Sequence, residues 1–386
     1  MTQHPRAQGL GLSGRDQLDS RPAMATAYRF PDFSQAPFIS APEAQFAPIP
    51  ADGILPDGFF STSNLPTYVK VGGEWKLPSR PRMDCVIVRR GEEIEVIEPR
   101  RLKQGEQIAM GLAEDGSAGI FVHTEGFLAG AHGANEFRFM STEVSRERPV
   151  NYEELAERLD DERKKGGHLV WVAGPAFVHS RARGDFEWFI KNGYVGCFLA
   201  GNAVAVHDIE ASMFGTTLGM DNLGHPAEGG HGLHMRAINA VRASGSIEKA
   251  VEDGKIKGGI IHTLVTQGVP YVLAGSIRDD GPLPGVLTDS LAAQDAMREQ
   301  TAKATGAIFV ATALHAIAVG NMLPAYHTHY DGVPTDLMTI CVDQTEFVVN
   351  KLKDRGTHQA YGVVTNAQDF MHVLRFYCER RLEGKA

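Results

Sequence analysis

From residue 168 onward the apolar residues of the chain gather into short, nearly continuous runs. These are HLVWVAG (168–174), YVGCFLAG (194–201), VPYVLAGS (269–276), AIFVATAL (307–314), TICVDQ (339–344) and YGVVTN (361–366). Most are followed by a stretch that suits a helix. Strands that are apolar throughout and alternate with helices predict a parallel sheet covered on both faces. Each run ends in small or polar residues (AGP, AGN, AGS, ATA, VDQ, VTN). Open α/β sheets bind ligands outside the carboxyl ends of their strands, so six such tails predict a nucleotide crevice.

Upstream the period changes. Between about 55 and 145 the runs are short and alternating (TYVKV, DCVIVRR, EIEVIE, QIAMGL, GIFVH), with Gly, Pro and charged residues between them. That is the pattern of a small β-rich unit. Asn151 to Lys165 reads as a charged amphipathic helix stopped by Gly166-Gly167, the joint between the two units. Residues 1–50 hold no sustained period and are rich in Pro, Gln and Ala, which predicts a flexible or extended arm. The expected division is therefore an arm over 1–50, a β-rich domain over 51–150 and a Rossmann-like domain over 151–386. The arm contains Gly9-Leu10-Gly11-Leu12-Ser13-Gly14, which matches the dinucleotide fingerprint. That motif works only between a strand and a helix, and here polar chain lies on both sides.

Composition narrows the class. The chain has 386 residues, 43% hydrophobic and 22% charged, as an ordinary two-domain globular protein does. A net charge of −9 argues against a nucleic-acid partner. No apolar run reaches the roughly 18 residues that cross a bilayer, and no secretion signal is seen, so neither a membrane partner nor export is expected. The four cysteines (Cys85, Cys197, Cys341, Cys378) are far apart, which predicts buried free thiols in a reducing cytoplasm.

Candidate chemistry collects at the strand tails. Gly201-Asn202-Ala203 is a strand-to-helix turn where a cofactor could approach the backbone. His207, Asp208 and Glu210 follow on the helix, with three ionisable groups for proton transfer. Ala274 to Pro284 reads AGSIRDDGPLP. There Arg278 could hold an α-carboxylate bidentately, and Asp279 or Asp280 could take a proton or bind an ammonium. The plain alternative is a salt-bridged turn. Thr312 to His315 follows the fourth tail, where His315 is either a cofactor contact or a core histidine. Asp343 suits a ribose hydroxyl pair and favours NAD over NADP, and Val364-Thr365 adds a backbone position. His225, His231, His234, His327 and His329 lack the companions of a metal site, so no metal is expected.

Taken together, the blocks AGNAVAVHDIEASMFGTTLGMD, EGGHGLHMRAINAVRASGSIEKAVEDG, GVPYVLAGSIRDDGPLPGVLTD, LHAIAVGNMLPA and LPTYVKVGGEWKLPSRPRMD closely resemble the archaeal-type NAD-dependent ornithine cyclodeaminases. The same family is known by its lysine-oxoglutarate reductase/saccharopine dehydrogenase conserved region. It is similar to the C-terminal part of the cyanobacterial arginine dihydrolase/ornithine cyclodeaminase fusion. The resemblance runs from about 55 to the C-terminus. It implies a β-rich domain joined to a Rossmann-like domain resembling the deoxyhypusine synthase fold. It also implies NAD as a catalytic cofactor contacted by Asn202, Ala203, Ser276, Thr312, Leu314, His315, Asp343 and Val364. The implied reaction converts L-ornithine to L-proline and ammonia by transient hydride transfer and intramolecular imine closure. On that scheme Asp280, His207 and Asp208 handle protons, Arg278 and Asp279 bind substrate, and Asn64 and Arg82 close over it. A cytoplasmic homo-oligomer is expected, because such an arm often wraps a neighbouring subunit. Two other readings stand beside it: an NAD-dependent deaminase or dehydrogenase of another basic or cyclisable amino acid, or a non-catalytic NAD-binding module. The chain departs from the family twice. YHTHYDGVPTDL (326–337) intervenes where relatives pass almost directly into the next strand, and Asp343-Gln344-Thr345-Glu346 replaces Asp-Ile-Asn-Pro.

Overall fold

The computed structural model describes residues 28–127, 150–221, 223–345 and 360–385. Among the described residues, seven short strands form the N-terminal unit: β1 (Phe46–Pro48), β2 (Thr67–Val71), β3 (Glu74–Lys76), β4 (Val86–Arg90), β5 (Glu93–Ile97), β6 (Gln107–Ala109) and β7 (Ile120–Val122). They pair antiparallel in two sheets, ordered β1-β6-β4-β5 and β3-β2-β7. Val69, Val71, Ile87, Val96 and Ile120 are buried in one cluster drawn from both sheets. Alternating residues of each strand therefore supply the core, as the period-2 pattern required.

Residues 28–50 lie against the rest of the N-terminal unit. From Tyr28 on, the chain is fixed to the three-stranded sheet by aromatic side chains. The Tyr28 hydroxyl lies 2.9 Å from both the Tyr68 hydroxyl and His123 Nδ1. Phe33 stacks on Trp75 at 5.1 Å between centroids. Farther on, β1 itself pairs with β6. Composition concealed this because a few well-spaced aromatic rings carry enough apolar area to anchor a polar segment. Residues 1–27, including the Gly9–Gly14 motif, lie outside the described residues.

The second unit holds β8 (Leu169–Ala173), β9 (Cys197–Gly201), β10 (Tyr271–Ala274), β11 (Gly306–Val310), the hairpin pair β12 (Tyr326–His327) and β13 (Thr335–Asp336), β14 (Met338–Asp343) and β15 (Ala360–Val364). Apart from the hairpin, these form one parallel six-stranded sheet, ordered β10-β9-β8-β11-β14-β15. All six apolar runs are strands of this sheet, as the pattern predicts. From β8 the chain builds outward through β9 and β10, then returns to lay β11, β14 and β15 on the other side. The switch point is therefore between β8 and β11, where open α/β sheets leave a crevice. Helices cover both faces; Trp171, Phe186, Phe198 and Phe370 are fully buried on one of them. The joint helix Tyr152–Lys164 begins at Asn151, whose side chain accepts from the Glu154 N–H. It packs on the C-terminal helix Ala367–Leu382, where Arg381 meets Glu157 at 3.2 Å. The four cysteines are buried, and none forms a disulfide among the described residues.

Candidate active site at the strand ends

Register brings the predicted tails to one edge. Ala173 pairs with Ala200 and Val310, Ala274 with Gly201, Val342 with Val310, and Asp343 with Val364. Two glycines keep the edge bare. A Cβ on Gly174 would fall 2.0 Å from the Ala311 carbonyl oxygen, so no side chain fits between β8 and β11 at the switch point. Ala311 itself is left-handed at φ +53, a strained conformation for alanine and a mark of over-determined local geometry. On the next strand, a Cβ on Gly201 would meet His315 Cε1 at 2.8 Å. The imidazole of His315 thus lies over the Gly201 backbone, and burial pushes its pKa down, with Asp279 opposing. His315 was open between two readings on sequence, and the fold puts it at the crevice.

The loop after β10 is held open from below. Asn202 is buried; its amide donates to Asp279 Oδ1 at 3.1 Å and its oxygen accepts from the Leu283 N–H at 3.0 Å. The other Asp279 oxygen accepts from the Ser276 N–H at 2.7 Å. Asn202 and Asp279 therefore use their side chains to shape the loop, which corrects the expectation that Asp279 binds substrate with a free carboxylate. Arg278 and Asp280 project outward on this loop, exposed, and neither side chain forms an ion pair or hydrogen bond among the described residues. The loop is therefore shaped by hydrogen bonds to Asp279, and no salt bridge joins its three charges among the described residues.

The HDIE helix splits in a similar way. Asp208 is fully buried, and both its oxygens are taken: by Arg183 Nε at 2.5 Å and by the N–H groups of Ile260 and Ile261 at 3.0 and 2.8 Å. It neutralises a guanidinium and caps the helix Ile260–Gln267. That corrects the expectation of Asp208 as a proton carrier, since an acceptor bound three times over has no place for a substrate proton. Two residues farther on, Glu210 accepts from the Thr216 hydroxyl at 3.0 Å and the Gly219 N–H at 2.8 Å. Burial raises its pKa, but these bonds and His207 outweigh burial and hold the carboxyl below its usual range. His207 Nδ1 lies 3.2 Å from Glu210. An ionised Glu210 makes Nδ1–H the donor and leaves Nε2 as a base, which is the orientation logic of a carboxylate–histidine pair. The ring of His179 lies 4.8 Å from that of His207. His179 has a buried Nδ1 with no hydrogen-bond partner and a pKa lowered by burial, then by His207. Sequence reasoning missed His179; its only signal was a place just past the first strand tail, on the short helix Ala176–His179.

Asn64 and Arg82 go elsewhere. The Asn64 carbonyl accepts from the Ala325 N–H, and the Ala325 carbonyl accepts from the Leu337 N–H just before β14. Arg82 is ion-paired to Glu98 at 2.7 Å, and Arg298, from the helix ahead of β11, shares that carboxylate at 3.3 Å. Both residues therefore lie toward the amino ends of the strands, away from the crevice of their own chain. They join the two units, and this corrects the expectation that they close over the substrate. The matched blocks marked them, but sequence could not show which end of the sheet the N-terminal unit covers.

At the other strand tails, Asp343 Oδ1 accepts from the Thr345 N–H and hydroxyl, both at 3.0 Å. Thr312 and Ala203 are half-buried, and Leu314 and Val364 are exposed on the same edge. Glu346, the last residue of the departure after β14, lies outside the described residues.

Two family models match: the Rossmann-fold region of arginine dihydrolase ArgZ-like C-terminal portions over residues 153–374, and their first region over 66–153. Ornithine cyclodeaminases of Methanopyrus kandleri and Archaeoglobus fulgidus are 43% and 44% identical, over 87% and 86% of this chain and 78% of each relative. A conserved putative LOR/SDH protein from Methanococcus maripaludis superposes with a TM-score of 0.78 at 39% identity, over 89% of this chain and 99% of that one. AgrE in ternary complex with ornithine and NAD⁺ has a TM-score of 0.57 at 35% identity, over 89% of this chain and 46% of that one.

Proposed function

Because the chain belongs to the ArgZ-like ornithine cyclodeaminase family, we propose that it is an NAD-dependent enzyme that converts L-ornithine to L-proline and ammonia. The observation that carries this reading is the bare edge formed by Gly174, Gly201 and Ala311 at the switch point, with His315 over it and the His207–Glu210 pair alongside. The residues present suit NAD: Gly174 and Gly201 carry no side chain at the strand ends, with the Ala311 carbonyl and the His315 ring packed against them, and the carboxylate of Asp343 ends β14 on the same edge. Asn202, Ala203, Ser276, Thr312, Leu314, His315, Asp343 and Val364 are the residues proposed to hold it. When bound, NAD supplies a two-electron acceptor that is regenerated within each turnover.

The chain's own groups then have distinct roles. Arg278, with no partner among the described residues, holds the α-carboxylate. His207 Nε2, with Nδ1 committed to Glu210, takes the proton of the α-ammonium. Asp280 delivers a proton to the departing ammonia. Holding the δ-amine near the α-carbon makes ring closure intramolecular, which favours it over capture by water. A cytoplasmic homo-oligomer completes the proposal, supported by four buried cysteines without a disulfide and by the exposure of Leu218, Leu223 and Met235; light scattering in solution tests the assembly. The decisive activity experiment is incubation with NAD⁺ and a panel of diamino acids, with products read by mass. Proline and ammonia from ornithine are expected. A net accumulation of reduced cofactor would favour a dehydrogenase, and no conversion of any diamino acid would refute an enzyme of this class.

A further inference from the structure

Asp279 stands between two sets of residues with different duties. One is the cofactor edge: Asn202 opens the helix Asn202–Phe214 beside the bare Gly201, and His315 lies over that glycine. The other is the loop after β10, where Arg278 and Asp280 flank Asp279 in sequence and are exposed. Among the described residues, two side chains from elsewhere hydrogen-bond this loop. Arg242, from the helix Leu233–Ser244, donates to the Pro282 carbonyl at 3.1 Å. Asn202 is the other, and of the two it alone belongs to the cofactor edge.

Asn202 is 6% exposed and spans the bend with both ends of its amide. Its Nδ2 donates to Asp279 Oδ1 at 3.1 Å, and its Oδ1 accepts from the Leu283 N–H at 3.0 Å. Asp279 Oδ2 accepts in turn from the Ser276 N–H at 2.7 Å. These three bonds run without a break from Ser276 to Leu283, and Arg278 and Asp280 are carried between them. Leu283 is 2% exposed and packs in the core, which anchors the far end. The Asp279 charge also acts on His315, against the effect of burial on that ring. One carboxylate therefore touches one residue of the cofactor edge and influences a second.

Ordering an exposed loop costs conformational entropy, and a ligand that has already ordered it lowers that cost for the next. A dinucleotide seated at the Gly201–Ala203 turn holds Asn202, and Asn202 holds the bend that carries Arg278 and Asp280. We infer that the Asn202–Asp279 pair links the two binding sites, so that NAD strengthens binding of the amino acid and the amino acid strengthens binding of NAD by the same factor. Both ligands are those of the proposed function, on which this linkage rests.

NADH with L-ornithine cannot transfer hydride, so binding is read without turnover. NADH is titrated by fluorescence with and without saturating ornithine, and the ratio of the two dissociation constants measures the linkage. In the parent, ornithine should tighten NADH by roughly fivefold or more. In Asp279→Asn the new amide keeps an oxygen for the Ser276 N–H but turns its NH₂ against that of Asn202, so the ratio should fall to about one. Adding Asn202→Asp reverses the polarity of the pair. The new amide then donates to the new carboxylate, whose second oxygen still accepts from Leu283, and the linkage should return. Hydrogen exchange checks the cause: the Ser276 and Leu283 amides should exchange roughly fivefold faster in the single variant and at the parental rate in the double one. Should the double variant fold poorly, Asp279→Ala takes its place; it removes both bonds of the carboxylate and should lose the linkage while NADH alone binds as in the parent. Ornithine that binds the parent without altering NADH, a parental ratio in Asp279→Asn or Asp279→Ala, or a folded double variant as uncoupled as the single one would overturn the linkage and leave the proposed function standing. Ornithine that neither binds nor reacts would overturn the proposed function, and the linkage with it.

Discussion

Asp208→Asn separates structure from chemistry at the centre of the HDIE segment. The native carboxylate is fully buried, 2.5 Å from Arg183 Nε, and accepts two N–H groups at the start of the helix Ile260–Gln267. Asn keeps the shape and one oxygen. It presents an NH₂ group where a second acceptor stood, so one of the three bonds is lost and a donor faces a donor. Loss of a cap bond costs about 1 kcal/mol. Breaking a buried pair from one side costs about 3–5 kcal/mol when the survivor is fully enclosed. The Arg183 side chain is 24% exposed and retains the Asp208 and Gly258 carbonyls, so water and backbone recover much of that cost. A total near 3 kcal/mol follows, equivalent to a melting temperature lower by about 6–12 °C for a unit of this size. Differential scanning calorimetry gives the shift, and turnover per folded molecule is measured well below the transition. Structural duty predicts the full thermal loss with turnover within a few-fold of the parent. A variant that melts within about 2 °C of the parent but loses turnover by 10²-fold or more would refute the reasoning and return Asp208 to proton transfer.

Gly174→Ala should abolish detectable NAD⁺ binding in a fluorescence titration and cost about 1–3 kcal/mol in urea unfolding, because the added methyl meets the Ala311 carbonyl. Gly184→Ala, in a helix with open space around it, should leave binding unchanged and stability equal or slightly higher. Glu210→Gln should lower turnover by about 10²-fold and shift the acid limb of the pH–rate profile, since the amide cannot orient His207 as an ionised carboxylate does; an unshifted limb would dissociate Glu210 from the base. His327 gives a pH dependence of stability. Burial holds its pKa at about 4 in the folded chain, against 6.5 ordinarily, so between those values the unfolded chain binds the additional proton. Stability therefore rises with pH across that window and is lost as pH falls from about 6.5 toward 4, by about 3 kcal/mol in all. Urea titrations of the parent and His327→Leu should show a shallower slope in the variant. Glu98→Gln should loosen the joint between the units by about 2–4 kcal/mol, because Arg82 and Arg298 lose their shared partner, and calorimetry should resolve two transitions in place of one.

The sequence alone determined the parallel sheet, the strands that form it and the edge where chemistry gathers. Those features are local: an apolar run buries itself on both faces wherever it lies, and its tail must emerge at the carboxyl end. His207, Arg278, Asp280 and His315 could be named as candidates for the same reason, since each sits within a few residues of a tail. What only the tertiary structure decided depends on partners distant in the chain. Asp208 and Asp279 look like free acids until Arg183, the Ile260 amide and Asn202 come to them from 25 to 77 residues away. Asn64 and Arg82 look like site residues until the N-terminal sheets dock on the opposite end of the parallel one. The aromatic anchoring of Tyr28 and Phe33 likewise exists only once separate segments meet. A strand's period is written along the chain, whereas the satisfaction of a buried charge is settled by whichever groups the fold brings within hydrogen-bond reach.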